Sequence, residues 1–471
     1  MTYVISYKWK AFSLIAFSSF INVINMSSIF LLLSTIANDF NLTLKEASWS
    51  FLAQSLTVTT LVLPMGKFSD IIGRKKILIL SMFFFSIGSF ICFVSEFYSI
   101  FICGRMIMGI GISMLMGVGN AIIFSVFPKN ENGKAIGTLT AIVSFGVAIG
   151  PIFTGFILEL FSWKILFLIL SIASGLVIVG LNYILDDKKI GSFESLNRIF
   201  DWKGSILSAI TIISLLLTIN YPFEYENNII IPFGIIISCS FLFLLTSHLK
   251  VCQFPLIELC LFKNNQFKLS TLTRLFGSIN GNAALLLFPL FLTIILEIQP
   301  SIIGAVLFIS SVGSMLGSHF GGKLSDIFIK KRLIVLGLMI SIITCISFTL
   351  IDNNQSIYTI IFILFINSLS MGMWSVPNQV MTMSVSHKSY YGAVGAFVFL
   401  TGNIGIVLGQ CIITAAMNFI LMFQGFNVEL SEIGIMTGSS EAFINAWKLT
   451  YLLITFFLTL SLISTFKIKN E

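Results

Sequence analysis

Charge is scarce in this chain: Asp, Glu, Lys and Arg together make up 10% of its 471 residues, and there are three histidines. With so few charges, 56% hydrophobic residues and a mean hydropathy of +1.00, neither a soluble globular domain nor a disordered chain fits. Three well-separated histidines leave no metal triad such as His-Glu-x-x-His, and no nucleophile has a base beside it, so a membrane protease or hydrolase is not expected. No phosphate-binding loop is present, which excludes nucleotide-driven work and leaves an ion gradient as the source of energy. The seven cysteines, at 92, 103, 239, 252, 260, 345 and 411, show no ligand-like spacing and read as small packing residues. No cofactor and no metal site is expected.

What is there in quantity is long apolar stretches. A helix needs about 20 apolar residues to cross a bilayer, and the chain holds fourteen such runs, from 11–33 through 445–466. The first follows Lys8 and Lys10, is too long for a signal-peptide core and has no small-x-small cleavage site, so it reads as a span. Placing both termini in the cytoplasm puts 22 of the 27 Lys and Arg on the inner side, as the positive-inside rule requires of a cell-membrane protein. The net charge of +7 is then accounted for by topology and anionic inner-leaflet lipid, and nucleic acid is not an expected partner.

The chain is also duplicated. Gly66-Lys67-x-Ser69-Asp70, followed by three uncharged residues and the cations Arg74, Lys75 and Lys76, returns 256 positions later as Gly322-Lys323-x-Ser325-Asp326 before Lys330, Lys331 and Arg332. Each copy reads as a short turn between two helices. The cations alone follow from the positive-inside rule, but the acids at matched positions do not. An acid is favoured beside a helix N-terminus and pairs with Arg or Lys, so each copy reads as a latch: Asp70 with Arg74, and Asp326 with Lys330. Two halves of this kind are a transporter architecture. The expected organisation is an N-terminal six-helix bundle over 1–185, an extra transmembrane hairpin with its linkers over 186–250, and a C-terminal six-helix bundle over 251–471.

The residues now in hand resemble the fourteen-span drug:proton antiporter branch of the major facilitator superfamily over nearly the whole chain. Gly66 to Lys76, with Gly73 in the turn, is similar to the family's inner-loop motif, and Arg105 with Gly109 and Gly111 to its span 4 motif. Gly146-x-x-x-Gly150-Pro151-x-x-Thr154-Gly155 resembles the antiporter motif of span 5. Asp201-Trp202-Lys203-Gly204 and the stretch from Pro255 to Asn264 resemble the branch's own signatures. The resemblance implies an all-α major facilitator fold of fourteen transmembrane helices, and export by antiport. Independently of it, small residues four apart permit close backbone approach and Pro151 loosens its helix, so Gly146, Gly150 and Pro151 read as a hinge.

The chain also departs from the pattern. Asn25 stands where span 1 of such exporters usually has Asp, Met108 where Gln is common, Asn132 where Arg is expected, and Ile329 where the second latch would have glycine. No carboxylate falls near a span centre; the ionisable residues within spans are Arg105 and Arg274. Burying an Arg in a bilayer is expensive without partners, so Arg105 is expected to pair with Glu46 or Glu159 at the outer side and to couple protons through them. Asn22, Asn25, Gln54, Arg274, Asn282 and Asn403 form polar stripes that could line a cavity, and Trp374 either fills space or offers an aromatic face.

The expectation is therefore a monomeric, proton-coupled efflux transporter for small amphipathic drug- or dye-like compounds, working by alternating access. A transporter of an anionic metabolite is the alternative, suggested by two embedded Arg and no embedded acid. A non-transporting membrane sensor is a further one.

Overall fold

The computed structural model describes residues 6–190, 199–219, 230–351, 355–425 and 439–469. Among them every regular element is helical. In chain order these are α1 (Tyr7–Asp39), α2 (Leu44–Ile72), α3 (Arg74–Val94), α4 (Tyr98–Val126), α5 (Asn132–Leu160), α6 (Lys164–Ile184), the four-residue α7 (Asp187–Ile190), α8 (Trp202–Ile219), α9 (Ile230–Val251), α10 (Asn265–Ser278), α11 (Ala283–Ile294), α12 (Pro300–Ser325), α13 (Lys330–Thr349), α14 (Ile357–Ser384), α15 (Tyr391–Phe423) and α16 (Ser439–Phe466). Gly191 and the turn from Tyr221 to Asn227, which would report the topology of the extra hairpin, lie outside the described residues.

Twelve helical segments among the described residues are long and apolar enough to cross a membrane, fewer than the fourteen expected. The two that fall short are α2, long but studded with Ser50, Gln54, Ser55, Thr57, Thr59 and Thr60, and α8, which is short. The run expected as one span from 268 to 294 is interrupted. A 3-10 turn, Ile279–Asn282, separates α10 from α11, where Asn280, Gly281 and Asn282 are poor helix formers in succession.

The chain forms two compact units. One comprises residues 1–135, 145–261 and 383–400; the other comprises 136–144, 262–382 and 401–471. In the first, glycines set the spacing of the helices. A Cβ on Gly88 would lie 2.6 Å from the Met108 nitrogen, and one on Gly117 would lie 2.9 Å from the Gly66 Cα, so α3, α4 and α2 approach backbone to backbone. In the second, an aromatic core of Phe288, Phe291, Phe348, Trp447 and Tyr451 is fully buried. The Trp447 indole N–H there donates to the Phe348 carbonyl at 2.9 Å.

Candidate substrate site and inner latch

The latch of the first unit is built at the end of α2. The helix ends on Gly73, whose φ of 112° is open to glycine at little cost, and Arg74 starts α3 at once. Asp70, in the last turn, is buried and faces the first turn of α15. One carboxylate oxygen accepts from the Gly392 N–H at 3.1 Å and the other from the Ala393 N–H at 3.0 Å. Arg74 donates to Asp70 at 3.1 Å and to the Lys388 carbonyl at 2.7 Å, and it lies 5.9 Å from the Tyr391 ring. Lys67 sits over Tyr390 at 5.4 Å. Asp70 thus supplies the acceptor that two N-terminal amides of α15 lack within their own helix. The approach is close because Gly66 faces Gly392: a Cβ on Gly66 would come 2.6 Å from the Gly392 carbonyl.

The second copy is assembled differently. α12 stops at Ser325, one residue short of Asp326, whereas α2 continues past Asp70. Ile329, in the place of Gly73, has φ −62°, so the turn runs by another route. Asp326 is half-buried after the end of α12, and Lys330 opens α13. Close packing persists nonetheless, since a Cβ on Gly137 of α5 would lie 2.8 Å from the Gly322 Cα.

Arg105 is fully buried in α4. Gly109, one turn on, lets α4 approach α2 closely enough that a Cβ there would sit 3.0 Å from the Gln54 carbonyl. That proximity brings the guanidinium to the Ser50 carbonyl (3.0 Å) and, from its other side, to the Asn25 Oδ1 (2.6 Å); the Phe167 ring lies 5.9 Å away. Asn25, at the position where the resembling family usually has Asp, is therefore the partner of Arg105. Glu46 and Glu159 are not brought to it. Glu46 is exposed and belongs to a capping box, its carboxylate accepting from the Thr43 N–H at 2.9 Å, a use of the acid that local sequence alone makes available. Glu159 is exposed near the end of α5.

Around Arg105 several buried polar atoms have no partner among the described residues: the guanidinium Nη2, Asn25 Nδ2, Gln54 Nε2, Ser50 Oγ and Asn22 Oδ1. Buried groups of this kind ordinarily find a partner in protein, water or ligand. The buried charged side chains among the described residues are Lys67, Asp70, Arg74, Arg105 and Asp201. Arg105 alone of these sits away from the helix ends.

Gly146, Gly150 and Pro151 lie on α5 against α1. Gly150 faces Ser27, with the Ile24 carbonyl 3.3 Å from where its Cβ would be, and its own carbonyl accepts from Ser28 and from Thr154. The second unit holds a counterpart that the sequence reading overlooked: Gly405-x-x-x-Gly409 on α15, 259 positions later. A Cβ on Gly405 would meet the Leu275 carbonyl at 2.5 Å, and one on Gly409 would collide with the Ile279 carbonyl at the 3-10 turn. A second Gly-x-x-x-Gly within three residues of the 256-residue repeat offset is the available signal.

The remaining predicted residues of the second unit are Arg274, Asn282, Trp374 and Asn403. Arg274 is half-buried beside Gly402, whose absent Cβ leaves room 3.0 Å from its Nε. Asn403 follows Gly402 on α15 and is half-buried. The stripe from Arg274 through Ser278 runs into the 3-10 turn at Asn282, whose side chain lies outside those described. Trp374 is buried and fills the space left by Gly277 and Gly337, so it packs and offers no open face.

The Major Facilitator Superfamily matches residues 15–410. The riboflavin transporter RibZ of Clostridioides difficile (strain 630) is 30% identical over 402 residues, 85% of this chain and 86% of that protein. Multidrug resistance protein 3 of Bacillus subtilis (strain 168) is 27% identical over 263 residues, 55% of this chain and 50% of its own length. Among solved structures, the human organic anion transporter MFSD10 (TETRAN) matches with a TM-score of 0.61 at 11% identity, covering 96% of this chain and all of that one. The proton:xylose symporter XylE gives 0.61 at 14%, covering 96% and 95%. At such identities the structures speak for the fold. With an all-helical architecture, membrane-length apolar helices and a family match over most of its length, the chain belongs to the major facilitator superfamily and is a multi-pass membrane transporter, not an enzyme.

Proposed function

We propose that this transporter exports a small amphipathic compound in exchange for protons by alternating access, and that the compound is a neutral or anionic heteroaromatic molecule rather than a cation. The observation that carries the reading is that three of the unpartnered atoms around Arg105, its own Nη2, Asn25 Nδ2 and Gln54 Nε2, are N–H donors, with Asn25 where a carboxylate would otherwise stand. Donors without acceptors favour a ligand rich in ring carbonyls and nitrogens, while a cation would meet an unpaired guanidinium and no facing acid. Similarity to a riboflavin transporter makes riboflavin, uncharged and rich in acceptors, the first compound to test. The export direction rests on the resemblance carried by Gly146, Gly150 and Pro151. We read fourteen crossings in the cell membrane, α2 and α8 included, with both termini in the cytoplasm.

Purified protein in liposomes, with an imposed proton gradient, should move riboflavin or other uncharged and anionic heteroaromatics. That flux should vanish with an uncoupler and in Arg105→Ala. Transport confined to cationic dyes and unaffected in Arg105→Ala overturns the reading in favour of a cationic-drug exporter.

A further inference from the structure

Helices α8 and α9 pack together in the first unit, and the base of the pair carries a cluster outside the site described above. Asp201 precedes α8, and its Oδ1 accepts from the Gly204 N–H at 2.8 Å and meets His248 Nε2 at 2.8 Å. His248 lies in the last turn of α9, with Cys252 four residues on; the Cys252 N–H donates to the His248 carbonyl at 2.9 Å, so the helical turn carries through and both side chains share a face. One donor atom from each of Asp201, His248 and Cys252 lies within 4.8 Å of the others.

A capping carboxylate with a histidine beside it would account for Asp201 Oδ1. It does not account for Oδ2. Asp201 is 7% exposed, and Oδ2 is buried with no partner among the described residues, which for a carboxylate is costly. Nor does it account for a thiol at the third corner.

We propose that Asp201, His248 and Cys252 bind a divalent transition-metal ion of the zinc class. Carboxylate oxygen, imidazole nitrogen and thiolate sulfur are a donor set that suits such an ion, with a fourth position left to water. Donors around tetrahedral zinc lie about 3.5 Å apart; Asp201 and His248 are already inside that separation, and the Cys252 sulfur, within 4.8 Å of both, needs to close by roughly 1 Å. His248 and Cys252 are only partly buried and have the freedom to do so. Binding takes the thiol proton and puts the metal where Asp201 Oδ2 lacks a partner. Gly204 keeps that oxygen against the helix, since any Cβ there would strike it.

The site has a mechanical neighbour. Phe200, adjacent to Asp201, packs edge-on against Phe68 with ring centroids 5.3 Å apart, and Phe68 lies two residues before Asp70. A metal that ties α8 to α9 therefore also steadies the ring that braces the end of α2.

The test is binding of zinc by the full-length protein in detergent, freed of any histidine tag and measured by competition with a chromophoric chelator, followed by Co2+ substitution. The expected result is one ion per chain and, with cobalt, the visible bands of a tetrahedral site together with a thiolate charge-transfer band. Cys252→Ser and His248→Gln should each weaken binding by roughly a hundredfold. Cys103→Ser, at an exposed cysteine of α4, should change nothing. Asp201→Asn should behave like the other two, and where it fails to fold, those two decide. Absence of binding by the wild-type chain, or wild-type affinity in both Cys252→Ser and His248→Gln, overturns the proposal. The readout is independent of transport.

Discussion

Asp70→Asn is the perturbation whose effect can be worked most directly from the geometry. The first amides of a helix have no acceptor in their own helix, and for α15 the Gly392 and Ala393 amides are met by the two carboxylate oxygens of Asp70. Asparagine keeps one oxygen and turns an NH2 group toward the other donor, so one amide loses its acceptor, at about 1–3 kcal/mol. Arg74 loses its counter-charge as well. Breaking a buried pair outright costs about 3–5 kcal/mol, but Arg74 retains the Lys388 carbonyl and the Ser125 hydroxyl, so only a small part of that cost adds to the lost amide bond. We take about 2–3 kcal/mol, which corresponds to roughly 30- to 150-fold in an opening equilibrium. Hydrogen exchange with mass spectrometry should show this acceleration in the segment around Gly392 and Ala393 while the aromatic core of the second unit keeps its protection. Transport should fall at normal protein level. Unchanged exchange around residue 392 in a folded variant would refute the argument that Asp70 holds the start of α15.

Two further outcomes follow from the packing and from the acids. Gly409→Ala should destabilise the protein more than Gly150→Ala, because its Cβ meets a backbone carbonyl that cannot swing aside while Gly150 faces the Ser27 hydroxyl; overpacking of this kind costs about 1–3 kcal/mol. Melting curves of the two purified variants check the order, and a larger drop for Gly150→Ala would contradict it. Glu46→Gln and Glu159→Gln should both keep the wild-type pH dependence of transport, since neither carboxylate is brought to Arg105. Loss of pH dependence in either variant would restore a coupling role to the outer acids.

Much of the fold is legible in the chain because its signals are local and repeated. Apolar runs of membrane length mark the helices, and the return of Gly-Lys-x-Ser-Asp marks the duplication. What could not be read depends on pairs distant in sequence. Asp70 announces that it wants a helix N-terminus, but nothing nearby says that the helix starts at Tyr391. Arg105 announces an expensive burial, and the acids closest to it in depth are the natural guess; the actual partner, Asn25, is visible only as a departure from a family pattern. Asp201 and His248 are 47 positions apart, and neither is unusual alone. The interruption after Ser278 was hidden because Asn280 and Asn282 lie inside a run whose average hydropathy still suits a span.

The two halves of the chain can be treated as descendants of one ancestral segment that have drifted under different demands. Glycine at 73 is matched by isoleucine at 329, and the turn takes another path there. Glycine stands in both copies at 66 and 322, at 146 and 405, and at 150 and 409. At 66, 405 and 409 an added Cβ would strike the backbone of a neighbouring segment. A loop can be rerouted where a seam cannot be thickened, so a variant library of this protein should tolerate insertions at the 326–330 turn long before it tolerates alanine at position 409.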